Sequence, residues 1–266
     1  MLECGDCITV MNRIAESGFL FDCAFADPPY FLSNGGISVQ GGRQVCVDKG
    51  EWDKSRGIEA DMEFTRKWLM ALRRILKPSG SVWVSGTHHN IFQVANALTE
   101  LGFKILNVVV WQKTNPPPNL ACRCFTHSTE FVIWARREEK TPHYFNYDLM
   151  RRLAGGKQMK DVWAFPTIGA WEKTLGKHPT QKPLALLVRI LLASTRAGEW
   201  VIDPFAGACT TGIAAKLLNR CFVGIDKIDT FLSLGARRHA EAATETFQQT
   251  ACRHIADLEK AAVRPE

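Results

Sequence analysis

The sequence predicts an α/β fold, one large domain built on a mostly parallel sheet, and three observations predict it. Short apolar runs of strand length alternate with longer segments of helical periodicity. Two of those runs end in stiff or glycine-containing corners, Asp27-Pro-Pro-Tyr30 and Asp203-Pro-Phe-Ala-Gly207. A further run ends at Asp226, 226 − 207 = 19 residues after Gly207, the spacing at which a nucleotide-binding β-α-β unit places the acid that holds ribose hydroxyls. At 266 residues the chain has room for one such domain with an insertion.

Taken in order, Met1 to Asp6 fits a short strand and Ile8 to Ile14 has helical spacing. Phe21 to Ala26 reads as a buried central strand with a polar break at Asp22 and Cys23. The two prolines after Asp27 fix their own φ, lack N–H groups and hold the preceding backbone extended. The resulting corner presents the Asp27 carboxylate, the Pro28 carbonyl and the Tyr30 ring at the strand's carboxyl end, where open α/β sheets bind ligands. Two acceptors beside a stacking ring suit a planar base bearing an exocyclic amine; a strand-ending turn with a packed Tyr is the plainer alternative. Residues 31–62, rich in Gly and polar groups, read as a long mobile loop beyond this corner, with Arg43, Lys49 and Lys54 available to close over DNA.

Phe64 to Leu76 is predicted helical, stopped by Lys77-Pro-Ser-Gly. A strand at Ser81–Ser85, a helix at Ile91–Leu101 and strands at Ile105–Trp111 and Glu130–Ala135 follow, with a rigid Pro-rich loop from Gln112 to Asn119 between the last two. Residues 136–177 interleave cations with aromatics at weak periodicity, which predicts a segment inserted outside the sheet and suited to phosphates and bases; a solvated surface stretch has the same composition. Leu184 to Ser194 is a strongly apolar helix. Trp200 to Leu218 reads as strand, turn at Gly207 and helix from Thr210, and Phe222 to Asp226 as the next strand. With no Gly-x-Gly-x-x-Gly and no P-loop Lys-Ser/Thr, a nucleoside cofactor without phosphate is favoured. Residues after Phe231 are expected to form a terminal amphipathic helix fading into a polar tail.

Composition narrows the class. Hydrophobic content of 46% and charged content of 23% are globular values, and a net charge of +6 gives mild support to a nucleic-acid partner. No apolar run approaches a membrane span and the first residues lack a signal pattern, so the expectation is a soluble cytoplasmic protein without a membrane partner. Nine scattered cysteines, an odd number, suit reduced thiols, and Cys122-x-Cys124 is tighter than zinc-ligand spacing, so no metal is expected.

Asp27-Pro-Pro-Tyr30 and Asp203-Pro-Phe-Ala-Gly207 resemble the catalytic and cofactor motifs of amino-methylating DNA methyltransferases. Their order, catalytic motif first, resembles the circularly permuted beta class of adenine-N6 methyltransferases. Phe31-Leu-Ser-Asn-Gly-Gly36, Trp111-Gln-Lys-Thr-Asn-Pro116, Phe125-Thr-His-Ser-Thr-Glu130, Lys160-Asp-Val-Trp163 and His178-Pro-Thr-Gln-Lys-Pro183 extend the likeness nearly end to end. It is nearest to the Dpn-type, restriction-associated adenine methylases, whose site is GATC. The resemblance implies a single Rossmann-like, S-adenosylmethionine-dependent domain whose seven-stranded sheet has one antiparallel strand. The catalytic half would be 1–135, the target-recognition insert 136–177, the cofactor half 178–245, and 246–266 a terminal helix and tail.

Residue by residue, it implies that Asp27 and the Pro28 carbonyl accept the N6 hydrogens of a flipped adenine, with Pro29 stiffening the corner and Tyr30 stacking on the ring. Asp203, Pro204, Phe205, Ala206 and Gly207 would shape the pocket for the cofactor's methionine part, with Thr210 and Thr211 at the helix start and Lys182 and Pro183 at its border. Asp226 would hold the ribose and Asp6 meet the cofactor's adenine. Arg43, Lys113, Asn115, Arg136, Arg137, Arg151, Arg152 and Lys157 are the candidate DNA contacts. The implied partners are double-stranded DNA, with single-stranded DNA also open, a second copy of the chain, and a companion restriction endonuclease, unless the protein works as an orphan or phage methylase.

Where the family has Gly this chain has Cys209, and where it has Ser, Ala208; a side chain at a positive-φ position costs about 1 kcal/mol or more, so cofactor affinity is the property at stake. Phe231 stands where Tyr is frequent. Cytosine-N4 methylation shares the amine chemistry but more often has Ser in place of Asp27. Protein-glutamine methylation usually has Asn there. A DNA-binding protein with a pocket impaired by Cys209 is the non-enzymatic alternative.

Overall fold

The apolar run that ends at Ala26 becomes a central strand. A computed structural model of the chain describes residues 1–33, 37–40, 43–46, 50–119, 122–176 and 178–262. Its strands in chain order are β1 (Leu2–Cys4), β2 (Phe21–Ala26), β3 (Ile37–Gln40), β4 (Arg43–Cys46), β5 (Leu76–Gly86), β6 (Lys104–Lys113), β7 (Thr129–Arg136), β8 (Val162–Phe165), β9 (Trp200–Asp203) and β10 (Cys221–Asp226). Eight of them form one sheet in the order β1-β10-β9-β2-β5-β7-β6-β8, while β3 and β4 pair as a separate antiparallel hairpin. Only β7 runs against its neighbours in the large sheet, which is the single antiparallel strand expected. Arg43 is placed as the first residue of β4, and its side chain lies outside the described residues.

Side chains alternate across a strand, and β2 shows both faces at work. Cys23 and Phe25 pack into one apolar cluster with helices α4 (Tyr147–Leu153), α5 (Leu184–Ser194) and α6 (Thr210–Leu217). Ala24 and Ala26 pack into the other, with α1 (Cys7–Glu16), α2 (Ile58–Ile75) and α3 (Ile91–Glu100). Both faces of the sheet are therefore covered, as a parallel sheet requires. The polar break at Asp22 has its own explanation: one carboxylate oxygen accepts from the Trp200 N–H at 2.9 Å and the other from Lys77 Nζ at 2.6 Å, tying β2 to both neighbouring strands. Helix α5 keeps the bounds read from the sequence, and nine of its residues are buried.

One expectation needs correction. The sheet has eight strands rather than seven, because β8 comes from the 136–177 segment expected to lie outside it. β8 adds parallel to β6, turning Trp163 and Phe165 inward while Val162 and Ala164 face out; without it β6 would be a bare sheet edge. The terminal segment, expected as a helix and tail, is helical through residue 262. After α7 (Asp229–Glu241) the chain forms α8 (Glu245–His254) and α9 (Ala256–Ala262), the latter packed on α4 and α5. Asp257, buried on α9, accepts a two-pronged bond from Arg189 at 2.7 and 3.0 Å, and the same guanidinium lies 4.4 Å from the Phe165 ring centroid.

Sheet order sets the position of the site. β1, β10, β9 and β2 are adjacent and parallel, so their carboxyl ends meet along one edge. Asp6, Asp226, Asp203 and Asp27 stand at or just beyond those four ends, although 226 − 6 = 220 positions of sequence separate the first two. No helix among the described residues is long and apolar enough to cross a membrane.

Candidate active site

The four strand ends open onto one cavity of about 350 Å³, within the range of small-molecule sites. Of the residues singled out from the sequence, Asp6, Asp27, Pro29, Lys182, Asp203, Pro204, Phe205, Ala206, Gly207, Thr210, Thr211 and Asp226 line it. Pro28, Tyr30 and Pro183 are buried beside these residues: Tyr30 is 7% exposed, and Pro183 caps α5.

At one end the backbone wraps two acids. Asp226 accepts the Gly207 and Ile228 N–H groups, each at 2.8 Å, and its own carbonyl accepts the Gly5 N–H, so three strand ends are tied at this point. Gly207 has φ 47°, the left-handed region that glycine enters without strain. Asp203 accepts from the Phe205 N–H at 3.0 Å and the Thr211 hydroxyl at 2.5 Å. Burial pushes its carboxyl up to about 7, and the Asp27 and Asp226 charges push the same way, against those two hydrogen bonds. Burial likewise raises Asp226 above the ordinary carboxylate range. Asp6 caps α1, accepting the Thr9 N–H at 3.0 Å.

Cys209 does have a positive φ, 61°, so the conformational cost foreseen for it is present. Its side chain is nevertheless turned into the core, fully buried and away from the cavity wall. Room for it comes from glycines: a Cβ at Gly235 would fall 2.8 Å from the Cys209 Cβ, and one at Gly212 closer still to its sulfur. Burial pushes the thiol up to about 12, so it stays protonated and inert. The impaired-pocket alternative loses its footing here.

At the other end lies Asp27. Its Oδ1 accepts from the Tyr30 hydroxyl at 2.8 Å and from the Ser85 hydroxyl, and its Oδ2 from Lys182 Nζ at 2.6 Å. Lys182 also lies 3.8 Å from Glu130, which is bonded to Lys113 at 2.7 Å, and 5.1 Å from the Tyr30 ring centroid. Burial pulls the Lys182 ammonium down, but Asp27 and Glu130 outweigh it and leave its pKa above the usual lysine value. Burial, with the Asp27 and Glu130 charges, raises the Tyr30 phenol well above its ordinary range.

The corner is held from outside by a residue that the sequence did not single out. Asp53, fully buried in the turn Glu51–Asp53, accepts from the Tyr30, Phe31 and Leu32 N–H groups at 2.8, 2.9 and 3.3 Å and from the Ser33 hydroxyl at 2.9 Å. Part of the loop expected to be mobile is thus a clamp on the proline corner. Trp52, His178 and Phe231 add an aromatic wall to the cavity; the Phe231 ring meets His178 edge-on at 4.1 Å.

The candidate DNA contacts divide. Lys113 is drawn to Glu130, and Asn115 accepts the Thr167 N–H. Arg136 and Arg137 follow from the strand direction: Arg136 pairs with Ser81, midway along β5 and four residues before Ser85, and Arg137 bonds the Leu76 carbonyl. Both lie further back along the sheet from Asp27 than Glu130 does. Arg151, Arg152 and Lys157 remain exposed.

Residues 21–237 match the DNA methylase family of N6- and N4-methyltransferases. The chain belongs to that family. The methylase is 52% identical over 237 residues to the type II methyltransferase M2.MboI of Moraxella bovis, covering 89% of this chain and 86% of that protein. It is 57% identical over 226 residues to M2.DpnII of Streptococcus pneumoniae, covering 85% and 84%. Among solved structures, that of an M1.HpyAVI–SAM complex superposes with a TM-score of 0.70 at 25% identity, covering 90% of the methylase and 98% of that chain. PvuII DNA methyltransferase, described as cytosine-N4-specific, shares the fold at TM-score 0.67 and 16% identity, covering 95% and 92%.

Replacing Asp53 by Asn puts an amide donor against backbone donors. The expected outcome is a loss of about 1–3 kcal/mol in urea unfolding together with faster amide exchange at Tyr30–Ser33 than in the parent. Unchanged protection of those amides would remove the clamp from the account.

Proposed function

We propose that this methylase transfers a methyl group from S-adenosylmethionine to N6 of adenine in DNA, within GATC. The observation that carries the reading is the single cavity shared by Asp27 at one end and Asp203 and Asp226 at the other. Its donor set fits the cofactor. Six acids line it (Asp6, Asp27, Glu51, Asp61, Asp203, Asp226) against four cations (Lys54, Arg56, Lys182, Lys227), a balance that suits a nucleoside bearing ammonium and sulfonium charges and opposes phosphates. Asp226 and Asp6 would hold its nucleoside part, Asp203 and the turn from Pro204 to Gly207 its methionine part.

When bound, S-adenosylmethionine supplies a sulfonium-activated methyl group. The chain's own task is to make a poor nucleophile attack it. The lone pair of an adenine amine is delocalised into the ring; acceptance of its two hydrogens by Asp27 and the Pro28 carbonyl draws the nitrogen toward tetrahedral geometry and localises that pair. Positioning at about 3–3.5 Å then accounts for much of the rate. The base must leave the duplex to reach this corner, with Tyr30 as its stacking partner. No covalent intermediate is required of the chain. Asp27, where N4 methylases more often have Ser, favours adenine over cytosine. The GATC assignment rests on the Dpn-type likeness, and the exposed Arg151, Arg152 and Lys157 are candidate cations for the DNA backbone. Cytoplasmic work beside a companion restriction endonuclease, with the chain single or paired with a second copy, completes the proposal.

In Asp27→Asn an amide donor faces a donor. We expect a fall in kcat of about 100-fold or more with the cofactor Kd unchanged by calorimetry; a parental rate would remove that carboxylate from the chemistry. Asp203 gives a second expectation, on cofactor binding. A cationic ligand prefers the ionised carboxylate, so affinity should be full above the Asp203 pKa of about 7 and fall as the pH drops through it. Asp203→Asn should flatten that dependence, and a parental pH profile in the variant would place the titration elsewhere.

A further inference from the structure

The catalytic corner already has an occupant. Asp27 Oδ1 is taken by two hydroxyls, those of Tyr30 and Ser85, and Oδ2 by the Lys182 ammonium at 2.6 Å. The same ammonium stands over the Tyr30 ring, 5.1 Å from its centroid. One cationic nitrogen thus fills both places that an incoming base needs, the acceptor for its amine and the face for its ring.

A buried carboxylate must be matched by something, and so must a buried ammonium. Asp27 and Lys182 side chains are only 14% and 7% exposed, so neither can be released to water alone. A second carboxylate is at hand. Glu130 Oε2 is 3.8 Å from Lys182 Nζ, while its Oε1 pairs with Lys113 at 2.7 Å. Asp27 and Glu130 carry two negative charges, Lys113 and Lys182 two positive ones, and the balance is the same whichever acid Lys182 serves. A displacement of about 1 Å would bring the second contact to ordinary ion-pair length.

We propose that Lys182 is a place-holder for the target amine and that Glu130 is the positioning residue that receives it. In the free protein Lys182 keeps Asp27 matched and aimed. The base amine then displaces it from Oδ2, Lys182 moves onto Glu130, and the Tyr30 face is uncovered in the same movement. The inference rests on the adenine-N6 reading above and deepens it: the corner admits a ligand that brings its own N–H donor to replace the ammonium, so a base without an exocyclic amine there leaves Lys182 in place.

The test is a double-mutant cycle in single-turnover methyl transfer to an adenine-containing GATC duplex, with cofactor and DNA affinities measured alongside. Glu130→Gln should slow transfer by about tenfold or more while both affinities stay within about twofold. With Lys182→Gln there is no ammonium to hand over, so the double variant should be no slower than Lys182→Gln alone. A Glu130→Gln rate equal to the parent's, or single effects that multiply in the double variant, would overturn the handover. Should Lys182→Gln be inactive, a crystal structure of the unaltered protein with S-adenosylhomocysteine and a flipped adenine decides: Lys182 on Glu130 is expected, and Lys182 still on Asp27 Oδ2 beside a seated adenine overturns it. An unaltered protein that transfers no methyl to the adenine duplex would sink the functional reading as well; an active one that fails the cycle sinks the handover alone.

Discussion

A carboxylate kept from water at the end of a central strand must be matched, and the meeting of Asp27 with Lys182 is the interaction on which the remaining site depends. The proline corner fixes the backbone beneath that carboxylate, Asp53 gathers the N–H groups that follow it, and Ser85 and Tyr30 orient one oxygen. Lys182 reaches the other oxygen from a loop 155 positions away in sequence, so the corner is complete only when both halves of the chain have folded together. Removing any one of these partners leaves a buried charge or donor uncompensated.

Sheet topology makes that meeting possible. Because β2 lies between β9 and β5, the catalytic corner emerges beside the Asp203 turn, and β10 brings Asp226 one strand further on. Antiparallel β7 enters the sheet at this same edge, which is how Glu130, one residue into it, faces Lys182. The direction that carries Glu130 to the site carries Arg136 away from it. Residue type alone could not distinguish those two ends of one strand.

The legible parts of the sequence are those with strong local patterns. Leu184–Ser194 is apolar at nearly every position apart from Arg189 and Ser194, and Phe21–Ala26 runs into prolines that admit few conformations, so both elements and the corner could be read directly. Asp226 was readable from its spacing to Gly207, and Asp203 from the family resemblance of the motif it opens. β8 was not, because four residues with two inward aromatics carry little period against a cationic background, and its pairing is decided by the open edge of β6. The terminal helix was expected, but its division into α8 and α9 and the seating of α9 were not legible, because they depend on long-range partners such as Arg189. Asp53 lies in a polar loop where one more acid gives no signal, although it holds the catalytic backbone. Glu130 offered a faint one, a lone charge opening an otherwise apolar strand, and its pairing with Lys113 was not legible because a cationic charge says nothing of an acid beside it.

The most direct test of the central claim, that this shared cleft methylates an adenine amine, is mass spectrometry of nucleosides from unmethylated DNA treated with the purified protein and S-adenosylmethionine. The account requires N6-methyldeoxyadenosine as the modified nucleoside. N4-methyldeoxycytidine in its place, or no methylated base in a sample whose protein binds the cofactor, would contradict it.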